Sequence, residues 1–312
     1  MANRVAILMS TYNGERYLEE QIQSILKQTY SNIVLYIRDD GSTDNTSRII
    51  RKYAEKNDNV IFFNEKSNEN IGVLKSFMTL LANVKADYYM FSDQDDIWLE
   101  NKVASSLQLL KKNEESPTCV FTNAEIVDKK LNPLRPLNDG EVWTDFKSLL
   151  FANCVTGCTM AFNNKLREII NKSDYHNIFL HDWWIALLAA KFGKLIYLNK
   201  KLMLYRQHGD NVVGGNKKNS PKQIYNRLSH IENEKLNVKH SVDFIAEFYN
   251  QYSFAFNGRE KDYMARYAAL KEKSSFMYNL LLVLRFPPAR LNMKGRMFFS
   301  YLLVTHPAYY LK

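Results

Sequence analysis

Short apolar runs alternate with helical patterns four times, and this alternation limits the possible folds more than any other feature of the sequence. The predicted strands lack a helical period, whereas the predicted helices carry apolar residues on one face. The strands are Val5–Ser10, Ile33–Ile37, Val60–Phe63 and Tyr88–Phe91. The helices that follow them are Glu15–Gln28, a helix capped by Thr43, Ile71–Val84 and Asn101–Asn113. The pattern predicts an α/β fold with a mostly parallel central sheet flanked by helices.

Polar residues cluster where three of the predicted strands end. These clusters are Thr11–Glu15, Asp39–Asp44 and Asp93–Asp96. In open α/β sheets, ligands bind outside the carboxyl ends of the strands. We therefore expect the three clusters to meet at one edge of the sheet and to form a nucleotide-phosphate site.

The third cluster contains three carboxylates, those of Asp93, Asp95 and Asp96. At about 4 Å and an effective dielectric near 20, two carboxylates repel each other by roughly 4 kcal/mol. Folding the cluster into a cleft therefore favours a bound cation, and oxygen ligands favour Mg²⁺ or Mn²⁺. The alternative is a solvated acidic loop.

Two common phosphate-binding motifs are absent from the sequence. No Gly-x-Gly-x-x-Gly follows the first strand, which argues against a dinucleotide-binding domain, and there is no Gly-x-x-x-x-Gly-Lys-Ser/Thr loop. The remaining arrangement is a diphosphate held through a metal by strand-end carboxylates, with the base bound by the first two turns.

The formal charge of +9 lies entirely in the last third of the chain. Residues 1–210 hold 26 basic and 26 acidic side chains, whereas residues 211–312 hold 16 and 7. We therefore predict a catalytic domain over residues 1–213 and a basic, aromatic-rich helical tail over residues 214–312. Two apolar runs in the tail, Phe276–Phe286 and Met297–Leu303, have the character of segments that lie in a membrane interface without crossing it. The alternatives are a packed helical subdomain and an oligomer contact such as a homodimer; we expect no nucleic-acid partner.

The cysteines and the apolar runs bear on location. Cys119, Cys154 and Cys158 are few, odd in number and lack metal-site spacing, which predicts buried thiols in a reducing compartment. The apolar run Val5–Met9 is too short for a signal peptide, and no stretch reaches the roughly 20 apolar residues of a membrane span. We expect a cytoplasmic protein.

Three motifs in this order carry a resemblance to a known family. They are Ser10-Thr11-Tyr12-Asn13, Asp39-Asp40-Gly41-Ser42-Thr43-Asp44 and Asp93-Gln94-Asp95-Asp96-Ile97-Trp98. Their spacing resembles that of the family 2 glycosyltransferases, which have the GT-A fold. Together with His181-Asp182-Trp183 and Tyr205-Arg206-Gln207-His208, they resemble the bacterial rhamnosyltransferases that build cell-wall and capsular polysaccharides.

The resemblance implies roles for the first three motifs. Tyr12 would stack on a pyrimidine base, and Asp40 would accept a hydrogen bond from the base N3–H. Asp93 would lie near the ribose, and Asp95 would bind Mn²⁺ or Mg²⁺, with His208 as a further ligand. The alternatives for Asp96 are metal binding in place of Asp95 and a cap of the following loop. The complete nucleotide-binding set would be Thr11, Tyr12, Asn13, Glu15, Asp40 and Asp93.

The resemblance also implies an inverting transfer in which Asp182 is the general base. The alternative for Asp182 is a plain helix N-cap. Gly157, in a segment that resembles the strand under the acceptor site, would allow close approach. The substrate and acceptor contacts would further include His181, Trp98 and Arg206, the last of which would close over the diphosphate.

The implied reaction moves L-rhamnose from dTDP-L-rhamnose to a lipid-linked saccharide at the inner face of the cell membrane, where the protein would be peripheral. A UDP-glucose or UDP-galactose donor is the alternative within this class. A sugar-nucleotide-binding subunit without turnover is the alternative from another class.

Overall fold

The structure is a computed structural model that describes residues 3–67, 69–207, 223–289 and 292–311; for residues 223–230 it describes the helical backbone alone. The chain divides into two compact units. The first consists of Met1–Val142, Val155–Lys172 and Leu180–Gly215, and the second consists of Trp143–Cys154, Ser173–Phe179 and Asn216–Lys312. The predicted boundary at residues 213 and 214 lies outside the described residues and stays a prediction.

The first unit begins with the predicted alternation of strands and helices. Parallel strands occur in the order β3–β2–β1–β4, with β1 at Val5–Thr11, β2 at Ile33–Asp39, β3 at Val60–Phe62 and β4 at Tyr88–Ser92. The helices are α1 at Leu18–Leu26, α2 at Thr46–Lys56, α3 at Val73–Asn83 and α4 at Lys102–Lys111. Thr43 does not cap α2, because the helix starts three residues later, after Asn45.

Antiparallel strands extend this parallel half. The further strands are β5 at Ile97–Trp98, β6 at Thr118–Val127, β7 at Pro133–Pro136, β8 at Met160–Asn163 and β9 at Lys194–Arg206. Among the described residues, nine strands form one sheet in the order β3–β2–β1–β4–β8–β6–β9–β5, with β7 beside β6. Strand β8 is antiparallel to both β4 and β6, whereas β9 is parallel to β6. The α/β fold is therefore confirmed, and its parallel pairing dominates the first half.

The core of the first unit lies on the central strands. Every residue from Val5 to Met9 on β1 and from Tyr88 to Ser92 on β4 is buried. Near-continuous burial of this kind is typical of parallel strands that helices cover on both faces. It explains why these strands are apolar runs and do not alternate between apolar and polar residues.

Helices make up most of the second unit, as predicted. The remaining helices of the chain are α5 at Phe146–Leu149, α6 at Asn164–Lys172, α7 at His181–Phe192, α8 at Gln223–Tyr252, α9 at Gly258–Ala268, α10 at Leu270–Lys273, α11 at Phe276–Arg285 and α12 at Met293–Thr305. Of these, α6 and α7 belong to the first unit. In the second unit, the ring of Phe151 packs edge-on against Tyr267 and Phe299, with centroids 5.1 and 5.2 Å away. Within the described part of the chain, no helix combines the length and the apolar character that crossing a membrane requires.

Candidate active site

The acidic loop, Asp93–Asp96, follows β4 and brings carboxylates close together. Ligand atoms of Asp93, Asp96 and Cys158 lie within 4.8 Å of one another. Asp96 is buried, and its Oδ2 atom has no hydrogen-bond partner among the described residues. Burial and the neighbouring carboxylates raise the pKa of Asp93 to about 7 and the pKa of Asp96 well above its usual range. A divalent cation would fit this site, because it would compensate the buried negative charge.

The two carboxylates suit a hard cation, but the thiol does not. Mg²⁺ and Mn²⁺ prefer oxygen ligands, whereas thiolates select softer metals. Burial raises the pKa of Cys158 well above its usual range, so the group stays a thiol at neutral pH. Asp95, the predicted ligand, is half-buried and is not a member of this cluster. Metal binding by Asp95 stays a prediction, and Asp93 and Asp96 are the carboxylates that the fold brings together.

A buried lysine lies beside the acidic loop. Lys102 on α4 is fully buried, and its Nζ atom donates to the carbonyl oxygen of Cys158 at 2.5 Å. Burial lowers the pKa of Lys102 to about 8, although the negative charges of Asp96 and Asp93 act in the opposite direction. At pH 7 the group is therefore mostly protonated and supplies one positive charge to the cluster.

Trp98 follows the acidic loop and packs on the buried lysine, and its predicted contact with the acceptor stays a prediction. Its side chain is buried, and the Lys102 ammonium lies 3.6 Å from the centre of its ring. Its backbone N–H donates to the Ser24 hydroxyl at 3.0 Å. Trp98 therefore covers the buried lysine through a cation–π contact.

Arg206 contacts the acidic loop, and its predicted closure over the diphosphate stays a prediction. Its side chain is buried, and its Nε donates to the carbonyl oxygen of Asp95 at 2.9 Å. Its Nη2 donates to Glu20 at 2.5 Å, and its guanidinium lies 4.4 Å from the centre of the Tyr17 ring. Its backbone N–H donates to Asp96 Oδ1 at 3.2 Å. These contacts position the loop that carries the carboxylates.

Gln94 ties the turn after β1 to the acidic loop. Its Oε1 accepts from the Tyr12 backbone N–H at 2.8 Å, and its Nε2 donates to the Tyr12 carbonyl oxygen at 3.0 Å. A Cβ at Gly14 would lie 2.3 Å from Gln94 Oε1, so glycine is needed for this close approach. The Tyr12 side chain is 50% exposed, which leaves its ring accessible to a base.

The other residues predicted to bind the nucleotide mostly join the turns after β1 and β2. Asn13 Oδ1 accepts from the Thr43 N–H at 2.9 Å, and Glu15 Oε2 accepts from the Asn45 N–H at 2.9 Å. Thr11 is buried, and its part in nucleotide binding stays a prediction. For Asn13 and Glu15, the contacts described here build the site, and nucleotide binding stays a prediction.

Asp40 is buried at the end of β2 within a network of donors. Its Oδ1 accepts from Arg38 at 2.6 Å, from the Ser76 hydroxyl at 3.0 Å and from the Ile71 N–H at 2.8 Å; its Oδ2 accepts from the Gly72 N–H at 2.9 Å. Burial raises the pKa of Asp40, but these hydrogen bonds outweigh burial, and the net shift is downward. The group is therefore an ionised acceptor, and Oδ2 is the oxygen with the fewer donors.

Asp182 occupies the first turn of α7, after the N-cap residue Leu180. Its Oδ1 accepts from the Trp183 N–H at 2.6 Å, and its Oδ2 accepts from the Gly157 N–H at 3.1 Å. Burial raises the pKa of Asp182 to about 6, although these hydrogen bonds act in the opposite direction. A carboxylate with a pKa near 6 is suited to accept a proton near neutral pH. Asp182 is not the N-cap, which removes the plainer interpretation of this residue.

His181 is a neutral imidazole packed among aromatic rings. The centroid of its ring lies 4.8 Å from the ring centroid of Phe77 and 5.2 Å from that of Phe91. Burial lowers the pKa of His181 to about 4. Its Nε2 has no hydrogen-bond partner among the described residues, and a Cβ at Gly157 would lie 2.8 Å from this atom. The absence of a side chain at Gly157 makes room for His181, and the predicted close approach of an acceptor stays a prediction.

A single 3₁₀ turn, Gly157–Thr159, connects the acidic loop with Asp182. The segment was predicted as a strand, but β8 starts only at Met160. Gly157 in this turn contacts Asp182, and Cys158 belongs to the acidic cluster. The charge of Asp182 also contributes to the raised pKa of Asp93. The structure thus brings together the predicted base and the predicted metal-binding loop; His208 lies outside the described residues.

The sequence did not single out Gln94, Lys102 or Cys158 for these roles. Gln94 lies between two aspartates, so its position inside the motif was the available signal. Nothing in the sequence distinguishes Lys102 from a solvated helix lysine, and Cys158 has no metal-site spacing.

Comparisons with known proteins identify the family. The model of the family described as "Glycosyl transferase family 2" matches residues 6–183. The dTDP-rhamnosyl transferase RfbG of Shigella flexneri is 31% identical over 299 residues, which cover 88% of this chain and 99% of RfbG.

Solved structures show the same fold at low sequence identity. Residues 1–349 of Staphylococcus aureus TarS, in complex with UDP-GlcNAc, match with a TM-score of 0.58 and 16% identity, over 98% of this chain and 89% of that one. The mannosyltransferase PcManGT from Pyrobaculum calidifontis, in complex with GDP-Man and Mn²⁺, matches with a TM-score of 0.53 and 18% identity. The match covers 99% of this chain and 85% of that one. The family model covers more than half of the chain, and the fold agrees with it. The chain belongs to glycosyl transferase family 2, and it is a GT-A glycosyltransferase that acts on nucleotide sugars.

Proposed function

We propose that this enzyme is an inverting, metal-dependent rhamnosyltransferase that moves L-rhamnose from dTDP-L-rhamnose to a lipid-linked saccharide in cell-surface polysaccharide synthesis. The observation that carries the mechanism is the Asp182 carboxylate, half-buried and held by two backbone N–H groups beside the acidic loop. The similarity to the S. flexneri rhamnosyl transferase, which extends over nearly its full length, supports the donor.

Asp182 is the general base of the proposed reaction. Its carboxylate takes the proton of the acceptor hydroxyl, whose oxygen forms a bond to the anomeric carbon of the donor sugar. The bond between that carbon and the diphosphate oxygen breaks on the opposite face, so the configuration inverts and the nucleoside diphosphate leaves. Two N–H donors fix the carboxylate, and neutral His181 beside it is placed to contact the acceptor without adding charge.

The acidic loop would hold the cation. Asp93 would bind Mn²⁺ or Mg²⁺ together with Asp95 or Asp96, and the ion would stabilise the negative charge of the departing diphosphate. The unpartnered Oδ2 of buried Asp96 and the raised pKa of Asp93, caused by burial and neighbouring charge, support a cation here. The Mn²⁺ in the mannosyltransferase structure supports the same class of metal.

The nucleotide contacts favour a pyrimidine but do not separate thymine from uracil. The accessible Tyr12 ring would stack on the base, and Asp40 Oδ2 would accept from N3–H, a donor that both bases carry. A UDP-hexose donor, either UDP-glucose or UDP-galactose, is therefore the second candidate. The UDP-GlcNAc complex of TarS supports a UDP-sugar within the same fold.

The acceptor and the working location follow from the class of reaction. We place the acceptor on a lipid carrier and the enzyme in peripheral contact with the inner face of the cell membrane. The basic tail supports this assignment, because its cationic and apolar side chains match the surface of an anionic leaflet.

A donor screen tests the proposal. Purified protein would be incubated with Mn²⁺ or Mg²⁺ and each of dTDP-rhamnose, UDP-glucose, UDP-galactose and UDP-N-acetylglucosamine, and release of the nucleoside diphosphate would be measured. The matched variants are Asp182→Asn and, as a control at an exposed carboxylate, Asp58→Asn.

We expect turnover of dTDP-rhamnose alone, loss of turnover in Asp182→Asn and no change in Asp58→Asn. Turnover of a UDP-hexose alone would refute the rhamnosyl assignment but keep the mechanism. Full activity of Asp182→Asn would refute the general base. Tight binding of dTDP-rhamnose by calorimetry without any turnover, even with lipid extracts as a source of acceptor, would favour a non-catalytic sugar-nucleotide-binding subunit.

A further inference from the structure

Helices α11 and α12 pack together through one of their two sides. Asn279 on α11 donates from Nδ2 to the carbonyl oxygen of Leu303 on α12 at 2.7 Å. The side chains that face inward are buried, and they include Leu282, Phe299 and Leu302. The N-caps Ser275 and Asn292 accept from the N–H groups of Tyr278 and Gly295, which fixes where each helix begins. The two helices therefore form a packed hairpin and are not an unstructured basic tail.

The other side of this hairpin is apolar and exposed. On α11, Met277, Leu281 and Leu284 follow one another at intervals of four and three residues, which places them on one face. On α12, Met293, Met297 and Tyr301 follow at intervals of four. Leu284 is 70% exposed and Met297 is 67% exposed. We call this surface the hairpin face; it consists of Phe276, Met277, Leu281, Leu284, Met293, Met297, Phe298 and Tyr301.

An apolar stripe on the exposed side of a helix is contrary to the usual pattern. Surface helices of soluble proteins turn their polar residues outward. Contiguous exposed apolar patches mark interaction sites, whereas scattered single residues do not. The exposed apolar residues of the hairpin face follow one another along each of two packed helices and are not scattered single residues, so the face has the character of an interaction site.

The charges of the segment that carries the hairpin face point to the kind of partner. Among its described residues from 273 to 311, Lys273, Arg285, Lys294 and Arg296 are basic and none is acidic. Arg285, at the end of α11, and Lys294, near the start of α12, are both exposed and flank the connection between the helices. A second copy of this chain is a poor occupant, because an isologous contact would place the same basic residues against each other. An anionic lipid surface fits both the charge and the apolar side chains.

We propose that the hairpin face docks on an anionic lipid bilayer, with its Met, Leu, Phe and Tyr side chains in the interface and its basic residues at the headgroups. The proposal rests on the peripheral membrane location proposed above, and it names the α11–α12 hairpin as the element that contacts the lipid. Its test uses no donor and no turnover, so its failure is distinguishable from failure of the proposed reaction.

The test is vesicle flotation of the full chain. Vesicles of phosphatidylglycerol and phosphatidylcholine in equal amounts are compared with vesicles of phosphatidylcholine alone. The apolar variant is Leu284→Glu with Met297→Glu, and the charge variant is Arg285→Gln with Lys294→Gln. The matched control is Phe254→Glu, because Phe254 is 76% exposed in the second unit but lies outside the hairpin face.

We expect the protein to bind the anionic vesicles at least tenfold more strongly than the neutral ones. The apolar variant should lose at least tenfold in binding, and the charge variant should lose most of the preference for anionic lipid, while Phe254→Glu should bind like the parent. Circular dichroism of each variant checks that the helices are retained.

Three results would overturn the proposal. The first is failure of the parent protein to bind anionic vesicles, and the second is a folded apolar variant that binds as well as the parent. The third is a parent dimer in light scattering that the apolar variant converts to a monomer, because a second copy would then cover the hairpin face.

Discussion

The pH dependence of the reaction is the sharpest test of Asp182. Burial raises the pKa of this carboxyl to about 6, and a general base acts only when it is deprotonated. With that pKa, about nine-tenths of the enzyme is competent at pH 7 and about one-tenth at pH 5, so kcat should fall about tenfold between these values. A carboxyl at the ordinary aspartate pKa near 3.9 would stay ionised over this range, and the profile would be flat.

The assay measures kcat for the preferred donor and acceptor between pH 5 and 8 at several Mn²⁺ concentrations. The metal series is needed because burial and neighbouring charge raise the pKa of Asp93 to about 7, and protons compete with metal there. Because Asp182 and Asp93 interact, Mn²⁺ should lower the midpoint that belongs to Asp182 until the metal site is saturated, and the midpoint should then stay constant. A flat profile at every Mn²⁺ concentration, or a midpoint that keeps moving beyond saturation, would refute the assignment. Asp182→Asn should lose about 10²–10⁴-fold in kcat and retain binding of the nucleoside diphosphate.

Three further predictions concern the metal site and the fold. Lys102→Met should bind Mn²⁺ at least tenfold more tightly by calorimetry, because it removes a buried positive charge, whereas Lys112→Met on the surface should not change the affinity. The metal-free protein should become less stable to heat as the pH rises through about 7, because burial and neighbouring charge raise the pKa of Asp93 and thereby favour the protonated folded form. Mn²⁺ should reverse this loss of stability at pH 8. A melting temperature that does not change with pH would contradict the prediction. Gly193→Ala should cost about 3 kcal/mol or more in unfolding free energy by denaturant titration, because its Cβ would lie 1.8 Å from the carbonyl oxygen of Pro117.

The sequence predicted the parallel half of the sheet well, because that half is built from local units. Each apolar run is followed within a few residues by the helix that covers it. The antiparallel half was not predicted, because the pairing of β8 with both β4 and β6 joins segments that are far apart in the chain. The sequence placed the start of α2 too early, because several polar residues that could cap a helix precede it. The helix begins at Thr46 and not after Thr43. The Thr46 hydroxyl accepts from the Gly14 N–H at 2.8 Å.

The sequence revealed the motifs of the candidate site, but it did not reveal which groups their side chains contact. The sequence singled out Asp93 and Asp182 as candidates. In the fold, the short turn Gly157–Thr159 connects the acidic cluster that contains Asp93 with Asp182. The sequence did not predict that Trp98 packs on the buried Lys102 or that Arg206 contacts the acidic loop. A motif reveals which residue types occur near a site, but whether a side chain points to the ligand or to the loop behind it depends on packing between distant segments.

The bridge made by Gln94 has a consequence for how the ligand is recognised. One amide holds both backbone groups of Tyr12, so the turn that would meet the base and the loop that would meet the diphosphate move together. Ordering one of them lowers the entropic cost of ordering the other. Affinity for the base and affinity for the metal should therefore be thermodynamically linked, with each raising the other by the same factor. The enzyme would then discriminate a whole metal-bound nucleotide from its separate parts.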